Sequence, residues 1–282
     1  MTIIAFQGRR AAYSEMACHA YDPTAETLPC ETFADAIDAV KAGRADLGML
    51  ACENSLAGRV PDIHSLLPES GLSIIAEHFQ RVEHCLLAVP GTPIDRIKRI
   101  HSHAVALSQV RGLIRDLCLT AVAENDTAGS AQLVAEWNNQ EDAAVASILA
   151  AKLYGLEVLR QNVEDESHNT TRFYVTAAKP NVPPLGAPNL MTTFVFRVRN
   201  VPAALYKALG GFATNGVNMT RLESYMVRGN FTATQFLCDV DGHPADLGLR
   251  RALEELSFFS HEVKILGVYP AANFRLAQVQ TE

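Results

Sequence analysis

The sequence predicts an α/β fold in two parts, and three observations carry that reading. Upstream of residue 180, short apolar runs alternate with helix-period segments, as in a largely parallel sheet joined by crossover helices. Residues 179–190 hold four of the thirteen prolines and no periodic apolar pattern, which suits an exposed domain boundary. Downstream, the order strand, helix, strand, strand, helix, strand predicts a compact βαββαβ, ferredoxin-like sheet with its helices on one face.

In chain order, residues 3–6 predict a strand followed by a helix from about Ser14, residues 45–51 a strand and turn, and residues 99–101 a strand before a helix from about Ala104. Residues 143–146 predict a further strand, with a helix through Lys152. Ser14, Ser102, Thr127 and Ser147 stand where strands pass into helices and are expected to cap them. Several helix N-termini converging on one cleft would hold carboxylates without many Lys or Arg, although plain capping accounts for the same residues. Beyond the boundary, residues 191–198 alternate as a strand, and 202–215 read as a helix closed by Gly216. Residues 217–226 and 230–240 predict a hairpin around Arg228 and Gly229, 245–258 a second amphipathic helix, and 263–269 a last strand.

The chain has 282 residues, 48% of them hydrophobic and 20% charged, which suits a globular protein of two domains. The net charge of −7 is uneven: residues 1–190 carry 15 basic against 23 acidic side chains, and the remainder 9 against 8. An acidic larger part argues against a nucleic-acid partner. The first eight residues show neither a basic leader nor a cleavage site, and no stretch approaches 18 apolar residues, so a cytoplasmic protein without membrane contact is expected. Six cysteines scattered singly predict reduced thiols rather than disulfides or a zinc site. His101 and His103 lie on one strand face without an evident third ligand; a structural or substrate-lining role is expected, and no metal.

Chemistry concentrates in Asn169, Thr170, Thr171, Arg172 and Phe173, where an amide, two hydroxyls, a guanidinium and a ring precede a strand-like segment. The run suits a small anion, and it equally suits turn chemistry at a strand entry. It resembles the N-T-T-R-F signature of prephenate dehydratases. Residues 51–60 (ACENSLAGRV) resemble that family's (P/A)-x-E-N-S-x-x-G-x-V segment. Gly8 with Tyr13, Ser14 and Glu15, then Ser102 and His103 with Gln109, and then residues 150–162, resemble further family segments in the same order. After the boundary, residues 200–205 and 221–224 resemble the G-A-L-V and E-S-R-P landmarks of the regulatory ACT domain.

The resemblance implies a two-lobed, periplasmic-binding-protein-like catalytic domain over residues 1–179, with lobes at about 1–76 plus 163–179 and at 77–162. A linker (180–190), an ACT domain (191–271) and a C-terminal tail (272–282) would follow, in a homodimer or homotetramer. The implied reaction is the loss of water and carbon dioxide from prephenate to give phenylpyruvate in L-phenylalanine biosynthesis, without cofactor or metal. Feedback by L-phenylalanine is implied through the ACT domain. Thr171 is the candidate donor to the departing hydroxyl, with Asn54 and Gln109 as neutral amides. A cation paired tightly with the departing carboxylate would stabilise the ground state and oppose decarboxylation.

Ser14, Glu53, Ser55, Ser102, Thr170, Arg172 and Phe173 complete the expected substrate-binding set, with Glu53 in a structural or hydrogen-bonding role. Neighbouring strand residues face opposite sides, so Thr171 and Arg172 do not share one face. Arg172 then either pairs with the pyruvyl carboxylate or is structural, and Phe173 either walls the ring or fills the core. The expected effector set is Ala203, Ala204, Leu205, Asn215, Asn218, Glu223 and Ser224; for the two asparagines, helix-end and turn chemistry is the alternative.

The chain departs from the family pattern in places. Ala104 and Val105 replace the Pro and first Gln of S-H-P-Q, leaving Gln109 as the glutamine ligand. Ala203 replaces a glycine and adds a methyl where backbone should approach the effector, and Tyr225 and Met226 replace the Arg-Pro pair. Alternative readings are an arogenate dehydratase, against which Thr170 leans, and a non-catalytic metabolite-binding protein.

Overall fold

The structure, a computed structural model, describes residues 1–199, 201–227 and 230–279. The expectations for Asn200 and for the turn at Arg228 and Gly229 lie outside the described residues. Contacts divide the chain into two units: residues 1–39, 49–60 and 79–173 form the first, and residues 40–48, 61–78 and those from Tyr174 onward the second.

The chain begins β1 (Ile3–Gln7), α1 (Tyr13–Tyr21), β2 (Glu26–Cys30), α2 (Phe33–Lys41), β3 (Leu47–Asn54), β4 (Gly58–Arg59), α3 (Pro61–Ser70) and β5 (Ser73–Arg81). It continues β6 (Cys85–Ala88), β7 (Arg99–His103), α4 (Ala104–Ser108), α5 (Arg111–Asp116), β8 (Thr120–Glu124), α6 (Thr127–Trp137), β9 (Asp142–Ala146), α7 (Ile148–Tyr154), β10 (Glu157–Arg160) and β11 (Thr170–Ala177). The remainder is β12 (Leu190–Val198), α8 (Ala204–Thr214), β13 (Met219–Val227), β14 (Asn230–Asp241), α9 (Leu247–Phe259), β15 (Ser260–Pro270) and α10 (Asn273–Val279).

In the first unit one sheet has the order β11-β3-β1-β2, with β1 and β2 parallel and β4 antiparallel on β3. A second sheet has the order β10-β6-β9-β7-β8. In this second sheet the expected largely parallel order holds only in part. β7 is parallel to β8 and β9, but β6 runs antiparallel to both β9 and β10. Only β6, the strand by which the chain enters this sheet, is reversed; β10, antiparallel to β6, runs in the same sense as β7, β8 and β9.

Period-2 alternation then buries both faces. Leu87, Val89, Ala144 and Ala146 pack with Ala131, Val134, Ala150 and Ala151, whereas Leu86, Ala88, Ala143 and Val145 pack with Leu107, Val110 and Leu113. His101 bridges Glu124 (3.1 Å) and Asp142 (3.0 Å), and Arg99 grips the same Asp142 through two nitrogens at 2.6 and 2.9 Å.

Three of the four expected helix caps are also corrected. α1 starts one residue before Ser14, on Ala12; α4 is capped by His103; and α6 by Asp126, whose carboxylate accepts from Gly129 N at 2.6 Å. β7 runs through Ser102, and the stronger acceptor Asp126 takes the position ahead of Thr127. Ser147 caps α7 as expected, accepting from Ala150 N.

In the second unit the strands run β13-β14-β12-β15, each neighbouring pair antiparallel, which is the ferredoxin-like arrangement of a βαββαβ unit. α8 and α9 cover one face over Phe194, Phe196 and Phe236. On the second face Asp239 accepts from Thr193 (2.6 Å) and Tyr174 (3.2 Å), and Arg221 donates to the Tyr174 hydroxyl at 3.0 Å. Residues 178–189 carry neither helix nor strand. Among the described residues no helix is long and apolar enough to cross a membrane.

Candidate active site

The end of β3 and the start of β11 lie side by side and carry the sequence's two strongest motifs. Ser55 N donates to Thr170 O at 2.9 Å, closing the ladder, and Ser55 Oγ donates to His168 O (3.1 Å) and accepts from Thr170 N (3.0 Å). Those bonds fix the Asn-Ser-Leu-Ala turn against the entry to β11. Asn54 Oδ1 accepts from Leu56 N (3.0 Å) and Ala57 N (2.9 Å), an Asx turn that orients its amide. The Nδ2 of the same amide donates to Asn169 Oδ1 at 2.8 Å and to Thr171 Oγ1 at 3.0 Å.

Gln109 follows the short helix α4. Its Oε1 accepts from Asn169 Nδ2 at 2.9 Å and lies 3.0 Å from His84 Nε2. His84 Nδ1 is 2.8 Å from the Tyr13 hydroxyl, which also reaches Glu83 O at 2.9 Å, while Glu164 accepts from His84 N at 2.9 Å. Thus Thr171, Asn54 and Gln109, far apart in sequence, meet around the fully buried Asn169.

The groups in this line are uncharged. Burial pushes the His84 imidazole below its ordinary range, against opposing contributions from the Gln109 hydrogen bond and the Glu164 charge. Burial likewise raises the Tyr13 phenol well above its ordinary range, with the Cys85, Glu164 and Glu83 charges acting in the same sense.

Charge is held on the other strand face. Arg172 is 1% exposed; its Nη1 pairs with Glu53 Oε1 at 2.9 Å, and its guanidinium carbon lies 5.9 Å from the Phe79 ring centroid. This places Arg172 in an ion pair with Glu53, the contact on which the structural reading of this residue would rest. Phe173 is fully buried. Ser102 is buried and donates to Val145 O at 2.6 Å, apart from the line, and Ser14 is half-buried on α1. Thr170 Oγ1 donates to His168 O.

In the second unit Ala203 is exposed, with φ 60°, ahead of the buried Ala204; Leu205 packs on the core. Asn215 Nδ2 donates to Gly211 O (2.8 Å) and Glu255 Oε1 (3.0 Å), and Asn218 Nδ2 donates to Asp241 Oδ2 at 2.8 Å, as helix-end and turn residues do. Glu223 and Ser224 lie on β13 opposite Leu237 and Phe236.

Sequence reasoning gave no role to Asn169, although it stands first in the five-residue run, and it missed His84. His84 carries no local signal, because its partners lie 71 and 25 positions away.

A family model described as prephenate dehydratase matches residues 4–181. A bifunctional N-acyl-homoserine lactone acylase/prephenate dehydratase of Komagataeibacter europaeus is 64% identical over 97% of this chain and 97% of its own. An arogenate dehydratase/prephenate dehydratase of Arabidopsis thaliana is 37% identical over 95% of this chain and 72% of its own. The solved prephenate dehydratase of Arthrobacter aurescens in complex with L-Phe superposes with a TM-score of 0.87 at 28% identity, covering 99% of this chain and 98% of that one. The chain belongs to the prephenate dehydratase family, a family of lyases.

Proposed function

We propose that this enzyme converts prephenate to phenylpyruvate by coupled loss of water and carbon dioxide. The observation that carries the reading is the Asn54 amide donating to Thr171 Oγ1. An oxygen that accepts there turns its own proton outward, and among the described residues no acceptor takes that proton. A departing 4-hydroxyl needs such a donor. The Gln109 amide nitrogen, also without a partner among the described residues, is available to hold the substrate. The neutrality of the line suits the reaction, since a cation paired with the carboxylate that must leave as carbon dioxide would stabilise the ground state.

Prephenate is chosen over arogenate on the Thr-Thr form of the motif, while relatives named for both substrates keep arogenate as the alternative. We assign residues 1–179 to catalysis, 180–190 to a linker and 191–271 to an ACT domain that binds L-phenylalanine in a homo-oligomer of a cytoplasmic biosynthetic enzyme. The ferredoxin-like strand order and the L-Phe complex of the Arthrobacter relative support that assignment. The test is phenylpyruvate formation from prephenate, and phenylalanine formation from arogenate, each with and without L-phenylalanine. Faster turnover of arogenate overturns the substrate choice; a rate indifferent to L-phenylalanine overturns the regulation.

The name of the Komagataeibacter relative favours a second reading, cleavage of N-acyl-homoserine lactones. Release of homoserine lactone and free fatty acid would establish it, and an unchanged substrate would remove it.

A further inference from the structure

The direction of the hydrogen-bond line can be worked out from backbone groups, whose donors and acceptors are not interchangeable. Leu56 N and Ala57 N hold Asn54 Oδ1, so Asn54 presents only its NH₂ to Asn169 and Thr171. Asn169 must answer with its oxygen and therefore turns its nitrogen to Gln109, 2.9 Å away. Gln109 must then present Oε1, and an oxygen 3.0 Å from His84 Nε2 requires a hydrogen on that nitrogen. In a neutral imidazole Nδ1 is then left bare, 2.8 Å from the Tyr13 hydroxyl, whose single proton is shared between it and Glu83 O at 2.9 Å. The burial that disfavours imidazolium keeps His84 in that neutral form. Every bond from Tyr13 to Gln109 donates in one sense, and every bond from Asn54 to Gln109 in the other, so Gln109 Oε1 is where two opposed donors meet.

We propose that His84 is a positioning residue for the dehydration: with its tautomer set by the Gln109 oxygen it faces, its Nε2–H pins Gln109 Oε1 inward and leaves the Gln109 amide nitrogen free for substrate. Pinning Gln109 in turn holds Asn169, and through it the Asn54 amide that aims the Thr171 hydroxyl. Hydrogen bonds in such a line polarise one another, which strengthens the hold beyond that of single pairs. The inference deepens the dehydratase reading and rests on it.

His84→Leu removes the donor without orphaning Tyr13, whose hydroxyl then donates to Glu83 O. It should lower kcat about 10- to 100-fold with KM changed less than about threefold, as misplacement of a reacting group does. His84→Gln returns an N–H near the same point and should restore most of the lost kcat. Equal kcat in His84→Leu, or equal losses in both folded variants, overturns the assignment.

A second measurement needs neither variant. Long-range ¹H–¹⁵N spectra of the imidazole in the parent protein should show the Nε2–H tautomer at neutral pH, and an Nδ1–H tautomer overturns the assignment whatever the enzyme acts on. A parent that turns over neither prephenate nor arogenate sinks the dehydratase reading and this inference with it. Turnover that survives His84→Leu sinks this inference alone.

Discussion

Asn54→Asp tests the directional line with almost no change of shape. The oxygen that caps Leu56 N and Ala57 N is retained, so the turn survives. The NH₂ that meets Asn169 Oδ1 at 2.8 Å and Thr171 Oγ1 at 3.0 Å becomes an acceptor. Two oxygens cannot share a bond, so Asn169 must turn its amide, Gln109 must follow, and His84 must move its hydrogen to Nδ1. Tyr13 can accommodate that shift because Glu83 O, 2.9 Å away, accepts its proton instead.

The line can thus invert as a whole, and the stability cost should be only about 1–2 kcal/mol, the worth of one or two re-formed neutral hydrogen bonds. Activity should suffer more, because the new carboxylate captures the Thr171 proton. Loss of general-acid help of about 10²–10⁴ corresponds to about 2.7–5.4 kcal/mol of barrier. The assay is steady-state phenylpyruvate formation, with a thermal melt to confirm folding and imidazole spectra to follow the tautomer. A folded Asn54→Asp protein with kcat within about threefold of the parent, or one still showing Nε2–H on His84, would refute the reasoning.

Arg172→Met should destabilise the protein by about 2–3 kcal/mol in chemical denaturation, less than the usual cost of breaking a buried pair because Glu53 is 31% exposed and keeps some water. Ala203→Gly should stabilise by roughly 0.5–1 kcal/mol, since φ 60° suits glycine and strains alanine; an unchanged melting temperature would count against strain there. Asp142 is held below the usual carboxylate range chiefly by the Arg99 hydrogen bond, against desolvation and with help from His101. Its contribution is therefore complete above its unfolded pKa of about 3.9 and lost as pH falls through the lower folded value. Asp142→Asn should cost about 1–2 kcal/mol at pH 7, discounted because Arg99 is two-fifths exposed, and the gap to the parent should close in acid.

The elements with strong periodicity were legible in the sequence: β1, β7, β9, α7 and the βαββαβ order all stand close to where alternation puts them. The sense of β6 was not legible, because a four-residue apolar run carries no sign of strand direction. Caps failed where two acceptors sit in succession, as Asp126 and Thr127 do, since composition cannot tell which residue leaves the helix first. Within the site, Asn54, Gln109 and Thr171 stood out through short motifs. His84 did not, because its meaning lies in contacts with Tyr13 and Gln109 that only the folded chain makes.

The two motifs Glu53-Asn54 and Thr171-Arg172 have one geometric logic. Neighbouring residues of a strand face opposite sides, so laying β3 beside β11 pairs Asn54 with Thr171 on one face and Glu53 with Arg172 on the other. The second pair consumes its own charges and covers the guanidinium with Phe79. The first pair is left polar but uncharged, with the Asn54 amide donating to the Thr171 hydroxyl. A slip of one residue between these strands would exchange the faces, placing a carboxylate against Thr171 and a guanidinium beside Asn54. Ser55, bonded to both His168 O and Thr170 N, resists that slip. Ser55→Ala should therefore lower stability and kcat together, whereas a change confined to KM would point to Ser55 as a substrate contact.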